Sequence, residues 1–148
     1  MQDPVADVDV KTVIAGGGFL AGIRLDQHGQ DPTRAACKAV KDAIANSCLA
    51  GVVDIARLSN VNDMQVEIHI ACPHPELVDR EKVLAALPFG KKQLFITEGG
   101  MVAHGLFQPE LGDTTDEAFI ANAAIVVWVD VTHMLQTWQA ELNVNTGG

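Results

Sequence analysis

Met64-Gln65-Val66-Glu67-Ile68-His69-Ile70-Ala71 alternates without a break, Met64, Val66, Ile68 and Ile70 facing one way and Gln65, Glu67 and His69 the other. Successive side chains of a strand point to opposite faces, so this pattern predicts a half-buried strand with one polar face. Pro73 and Pro75 end it. Downstream, a short helix is expected from Asp79 to Leu87, with Asp79 as its cap, Val78 and Val83 spaced as a hydrophobic staple, and Pro88 with Gly90 closing it. Gln93 to Glu98 reads as a second strand running into Gly99-Gly100. Residues 101–116 read as a long Gly-, Pro-, Asp- and Thr-bearing loop, longer than ordinary connections and so a candidate functional or interface loop.

The last strong element is Phe119 to Val131, apolar on both faces at its centre. Such a strand is central in a sheet covered on both sides, or is buried at a subunit contact. Upstream, Val10–Ala15 and Leu20–Leu25 are short β-like pieces joined through Gly16-Gly17-Gly18. The glycines mark a bend or bulge; no GxGxxG is present and no helix starts directly after them. Asp31-Pro32-Thr33 is the clearest helix start, with Asp31 able to accept from first-turn N–H groups and Pro32 where its missing N–H costs nothing. The helix runs to Asn46, burying Ala36, Val40, Ala43 and Ile44 and turning Arg34, Lys38 and Lys41 outward.

These elements predict an α+β fold, a single mixed or antiparallel sheet with two main helices packed on one face. One domain is expected over 1–148, with frayed ends at about 1–9 and 141–148. Two helices leave the other sheet face bare, which predicts self-association as a dimer or trimer covering the rest.

The chain has 148 residues, 48% of them hydrophobic and 20% charged, with a net charge of −9. This length suffices for one core without disulfides or structural metal. The acidic balance argues against nucleic acid, because a phosphate-binding surface needs clustered Lys and Arg and Lys91-Lys92 is the sole adjacent basic pair. The longest apolar run, Ala123 to Val129, falls far short of the roughly 20 residues of a membrane helix. The acidic N-terminus lacks a secretory signal, and three cysteines without CxxC spacing fit reduced thiols, so a cytoplasmic location is expected.

Chemistry concentrates in Asp26-Gln27-His28-Gly29-Gln30-Asp31, between a strand end and a helix start. Asp26 is placed to orient His28 as a general base, as a carboxylate fixes an imidazole tautomer. In the bland reading, Asp31 caps the helix, Asp26 and Gln27 satisfy the turn and His28 faces solvent. Glu67 and His69 share one strand face, roughly 6.5–7 Å apart by strand geometry. Glu98 and His104 are further candidates, and Lys38 is able to reach back towards the Asp31 cap or to solvate. Imidazoles with carboxylates also suit a divalent metal, although no HxH, HxxxH or CxxC pair is present. Neither Ser47 nor Ser59 lies in a GxSxG elbow.

The runs Asp26–Ala36 and Ala39–Ser47, the Met64–Ile70 strand, Glu98-Gly99-Gly100 and Asn122–Val127 resemble a family of small bacterial proteins known mainly as conserved hypotheticals. More distantly, the chain resembles one repeat of the ring-opening amidohydrolases, the cyanuric acid hydrolase and barbiturase group, built from three similar α/β units each offering a Ser and a Lys. That resemblance implies a homotrimer with a shared site and hydrolysis of a cyclic amide, imide or similar compact polar ring. The chain departs from the group in having Thr97-Glu98-Gly99-Gly100 where a Ser-Gly-rich loop is expected, and no Ser–Lys dyad can be assigned. The expected catalytic set is thus Asp26, His28, Asp31, Lys38, His69 and Glu98, with the helix start at Pro32 stabilising an oxyanion. The rival expectations are a regulatory module that binds a small polar metabolite or a metal without catalysis, and a structural subunit of a larger enzyme.

Overall fold

The computed structural model describes residues 9–17, 30–45, 60–130 and 132–145. Its elements are β1 (Asp9–Gly17), α1 (Pro32–Ala45), β2 (Gln65–Cys72), α2 (Arg80–Ala85), β3 (Lys91–Glu98), β4 (Met101–His104), β5 (Glu117–Ile120), β6 (Asn122–Asp130) and α3 (Thr132–Asn145). Four strands form a mixed sheet in the order β1-β6-β2-β3, and β4 pairs with β5 in a separate two-stranded ribbon. β6 runs antiparallel to both β1 and β2, whereas β2 and β3 are parallel. A parallel pair needs a crossover, and α2 lies in it.

The alternation of β2 sorts its side chains as expected. Val66, Ile68, Ile70 and Cys72 are buried, and with Ala123, Ile125, Val127 and Val129 of β6 they form one core against Ala36, Ala39, Val40 and Ala43 of α1. The small stripe on α1 lets the helix lie close to the sheet. α2 adds Val83 to the same core, flanked by Val78 and Leu87. Both helices therefore cover one face, and Gln65, Glu67 and His69 mark the other.

The helix starts follow the local chemistry. Asp31 Oδ1 accepts from Thr33 N–H at 2.9 Å, and Asp79 Oδ1 accepts from the N–H groups of Glu81 and Lys82. Buried Thr33 ties the two starts together, its Oγ1 accepting from Asp79 N–H at 2.9 Å. At the end of α2, the Lys92 ammonium donates to the Leu84 and Leu87 carbonyls.

The structure differs from the expectation in three places. Phe119–Val131 is not one strand: β5 and β6 join different sheets and break at Ala121. Asn122 is the one polar residue at the break, and the alternation that continues through it conceals the change of sheet. Within the expected loop, Met101–His104 pairs with β5, and Gly100 makes the turn possible: its φ is +71°, and a Cβ there would meet Ile120 O at 2.1 Å. A third helix, α3, follows at Thr132–Asn145, beyond the two main helices expected. The good helix formers Gln139, Ala140, Glu141 and Leu142 carry it on. The β-like piece at 20–25 lies outside the described residues, and among those described no helix is long and apolar enough to cross a membrane.

Candidate functional site

β2 lies between β3 and β6, and the register sets His69 opposite Phe95 on one side and Ala124 on the other. His69 stacks on Phe95, ring centroids 4.8 Å apart and planes 13° from parallel. Its Nε2 lies 3.1 Å from Glu67 Oε2. The other oxygen, Oε1, accepts from Trp128 Nε1–H at 3.1 Å. An ionised carboxylate only accepts, so Nε2 carries the proton of this hydrogen bond and, in the neutral ring, Nδ1 keeps the lone pair. Neither residue is sealed from water, the side chains of His69 and Glu67 being 45% and 31% exposed.

Beside this relay is a hollow of about 210 Å³ lined by His69, Ala71, Phe95, Thr97, Asn122 and Ala124. Its floor is Ala71, whose register partners Thr97 and Asn122 stand on either side. A Cβ at Gly99 would come within 2.9 Å of the Ala71 methyl, so the chain turning out of β3 passes close over this floor. The Thr97 hydroxyl donates to Ile70 O at 3.3 Å. On the Glu67 side of the relay is a second, larger and somewhat more enclosed hollow of about 290 Å³ between Gln65, Lys91, Gln93 and Trp128.

The expected site residues are divided by the sheet. His69 is on the open face. Asp31 and Lys38 belong to α1 on the opposite, helix-covered side, and the Asp31 carboxylate is engaged in capping. Lys38 is exposed on the outer side of α1. Glu98 ends β3 in register with Cys72 and shares the strand parity of buried Leu94, away from Phe95 and Thr97. Asp26 and His28 lie outside the described residues. His104, the further candidate, lies on the β4–β5 ribbon with its Nδ1 3.3 Å from Asp116 Oδ2. Among the described residues no group of three or more His, Cys, Asp or Glu is placed to hold a metal.

Sequence reasoning missed Phe95, Thr97, Asn122 and Trp128. Their strand parities were readable, but pairing them with β2 requires the register. It also missed the use made of Gln30. This residue, at φ +38°, donates from Nε2 to Thr115 O and Glu117 O and accepts at Oε1 from the N–H and hydroxyl of Thr114. The last residues of the polar turn are thereby latched to the chain leading into β5. Burial pushes the thiols of Cys37 and Cys72 above the ordinary range, which disfavours the reactive thiolate, and Cys48 lies outside the described residues.

The crystal structure of an FtsZ-like protein of unknown function from Nostoc punctiforme is similar to this one, with a TM-score of 0.70 and 44% sequence identity. The match covers 84% of this chain and 99% of that one. Among curated proteins none matches. The model of a conserved hypothetical protein family, Lin0512_fam, matches residues 19–127. On that span and on the 44% identity to the Nostoc protein, the chain belongs to the Lin0512 family of conserved hypothetical proteins.

Proposed function

We propose that the protein is a hydrolase of a cyclic amide, imide or similarly compact polar ring, with its reaction site in the Ala71-floored hollow. The observation that carries this reading is the relay from Trp128 through Glu67 to His69, which leaves Nδ1 as the free base beside that hollow. In the reaction, His69 Nδ1 takes a proton from water as the oxygen adds to a ring carbonyl. Collapse of the tetrahedral intermediate breaks the ring C–N bond, and the imidazolium returns its proton to the departing nitrogen. Glu67 holds the imidazole tautomer, Phe95 fixes its plane, and Asn122, which lines the hollow, hydrogen-bonds the ring. At about 210 Å³ the hollow is smaller than the roughly 300–1,000 Å³ of common ligand pockets, which favours a compact substrate. The distant amidohydrolase resemblance supports the same reaction class. We further propose a cytoplasmic setting.

The test is turnover of a panel of cyclic amides, imides and ureides. Ring opening is expected in the wild type, with a loss of at least about 100-fold in His69→Ala and a smaller loss in Glu67→Gln. If folded protein opens none of these rings, hydrolysis is refuted; if His28→Ala abolishes turnover while His69→Ala retains it, the site belongs to the 26–31 turn instead.

A second reading is a metabolite-binding module without catalysis. It is favoured by the engagement of the Thr97 hydroxyl with the Ile70 carbonyl, which leaves the hollow with a base but no poised side-chain nucleophile. Calorimetric binding of a ring by protein that does not open it supports this reading.

A further inference from the structure

The 101–117 segment is ordered yet outwardly apolar. Asp113 is buried and accepts from Gln108 N–H at 2.8 Å, and Gly105 N–H donates to Asp116 O at 2.7 Å. The loop so fixed presents Met101, Leu106, Phe107 and Leu111 with 53, 69, 52 and 56% of their surface exposed. Large apolar side chains held outward by internal hydrogen bonds form a patch of the kind that marks an interaction site. Its charge is one-sided. No Lys or Arg occurs after Lys92, and besides the buried Asp113 the segment holds Glu110, Asp116 and Glu117, with His104 beside Asp116.

The opposite sign is gathered elsewhere on the same chain. Between residues 79 and 92 there are four cations, Arg80, Lys82, Lys91 and Lys92, and two carboxylates, Glu81 and Asp79, the latter 3.5 Å from the Lys82 ammonium. These residues lie on α2 and the start of β3, the strand at one end of the four-stranded sheet. Arg80 donates to Leu94 O and Lys92 to the end of α2, which fixes this basic edge against the sheet. On the same strand Phe95 is 45% exposed. An apolar patch rimmed by acid thus complements a basic edge that carries an exposed aromatic ring.

We propose that the 101–117 arm of one copy docks on the α2–β3 edge of a second copy, head to tail. Leu106 and Phe107 pack towards Phe95, and the arm's carboxylates face Lys82 and Lys91. Because the two patches differ, the contact is heterologous, and repetition of it closes a ring when the rotation permits. The docked arm walls the Phe95 side of the Ala71-floored hollow, which the described residues of one chain leave open. This inference does not depend on the hydrolase reading, since it is read by mass and not by turnover.

The test uses the full chain and two surface variants, Leu106→Asp with Phe107→Asp in the arm, and Lys82→Glu with Lys91→Glu on the edge. Each is checked for fold by circular dichroism. Sedimentation is expected to show an oligomer for the wild type that weakens with salt, and a monomer for each variant alone. Mixed in equal amounts, the two variants are expected to form a dimer that grows no further, because one intact contact is restored. A monomeric wild type, an oligomer surviving in either folded variant, or a mixture that stays monomeric overturns the proposal.

Discussion

Replacing Gln30 by alanine removes four hydrogen bonds at once, two donated by Nε2 to the Thr115 and Glu117 carbonyls and two accepted by Oε1 from Thr114. A net protein hydrogen bond contributes about 0.5–1.5 kcal/mol. Three of the four are exposed to water, which places each near the lower end, so Gln30→Ala is expected to cost about 2 kcal/mol. The backbone term separates from the side-chain term at the same position. At φ +38°, a residue with a Cβ pays about 1 kcal/mol that glycine does not. Gln30→Gly therefore loses the latch but recovers that strain, and is expected to cost about 1 kcal/mol. Urea unfolding followed by circular dichroism gives both values. A cost below about 0.5 kcal/mol for the alanine variant, or a glycine variant less stable than the alanine one, refutes the latch.

Three further outcomes follow from the fold. Ile68→Ala empties a fully buried site between β3 and β6 and is expected to cost about 2–5 kcal/mol, while Gln65→Ala on the same strand's open face changes stability by less than about 0.5 kcal/mol; equal effects in denaturant titrations contradict the assigned faces. Gly100→Ala introduces a Cβ at φ +71° against Ile120 O, and is expected to lose the amide protection of the β4–β5 ribbon in hydrogen exchange while that of β2 persists. The N–H groups of Lys82 and Glu81, with the Lys82 ammonium, hold the Asp79 carboxyl below its ordinary range. A depressed folded value means that the contribution of this cap is present above the unfolded carboxylate range of about 4 and is lost as pH falls through the folded value. Melting temperatures of wild type and Asp79→Asn should therefore differ at neutral pH and converge in acid, and a constant gap contradicts the cap.

The parts of the fold written in short-range chemistry were legible. The Met64–Ala71 alternation specifies which face of β2 is buried, and Asp31 and Asp79 announce the starts of α1 and α2. The parts that were not legible depend on partners distant in sequence. Gln30 meets residues 84 to 87 positions away, and no local rule links an amide in a turn to the chain before β5. Met101–His104 is too short to show periodicity and is a strand because β5 is beside it. The candidate site divides in the same way. Glu67 and His69 were visible as a pair on one strand face, but Trp128 and Phe95, which complete the relay, come from β6 and β3 through the sheet register. Cap geometry explains Asp31, and strand parity sends Glu98 to the side opposite His69.

The central claim is that the open sheet face, and not the start of α1, takes the ligand. Titrating ¹⁵N-labelled protein with small cyclic imides and ureides and following its amide resonances tests it directly. Saturable shifts are expected to cluster at His69–Ala71, Phe95–Thr97 and Asn122–Ala124, and to be lost in His69→Ala. Shifts centred instead on Asp31–Thr33, with the β2, β3 and β6 amides unmoved, would contradict that claim.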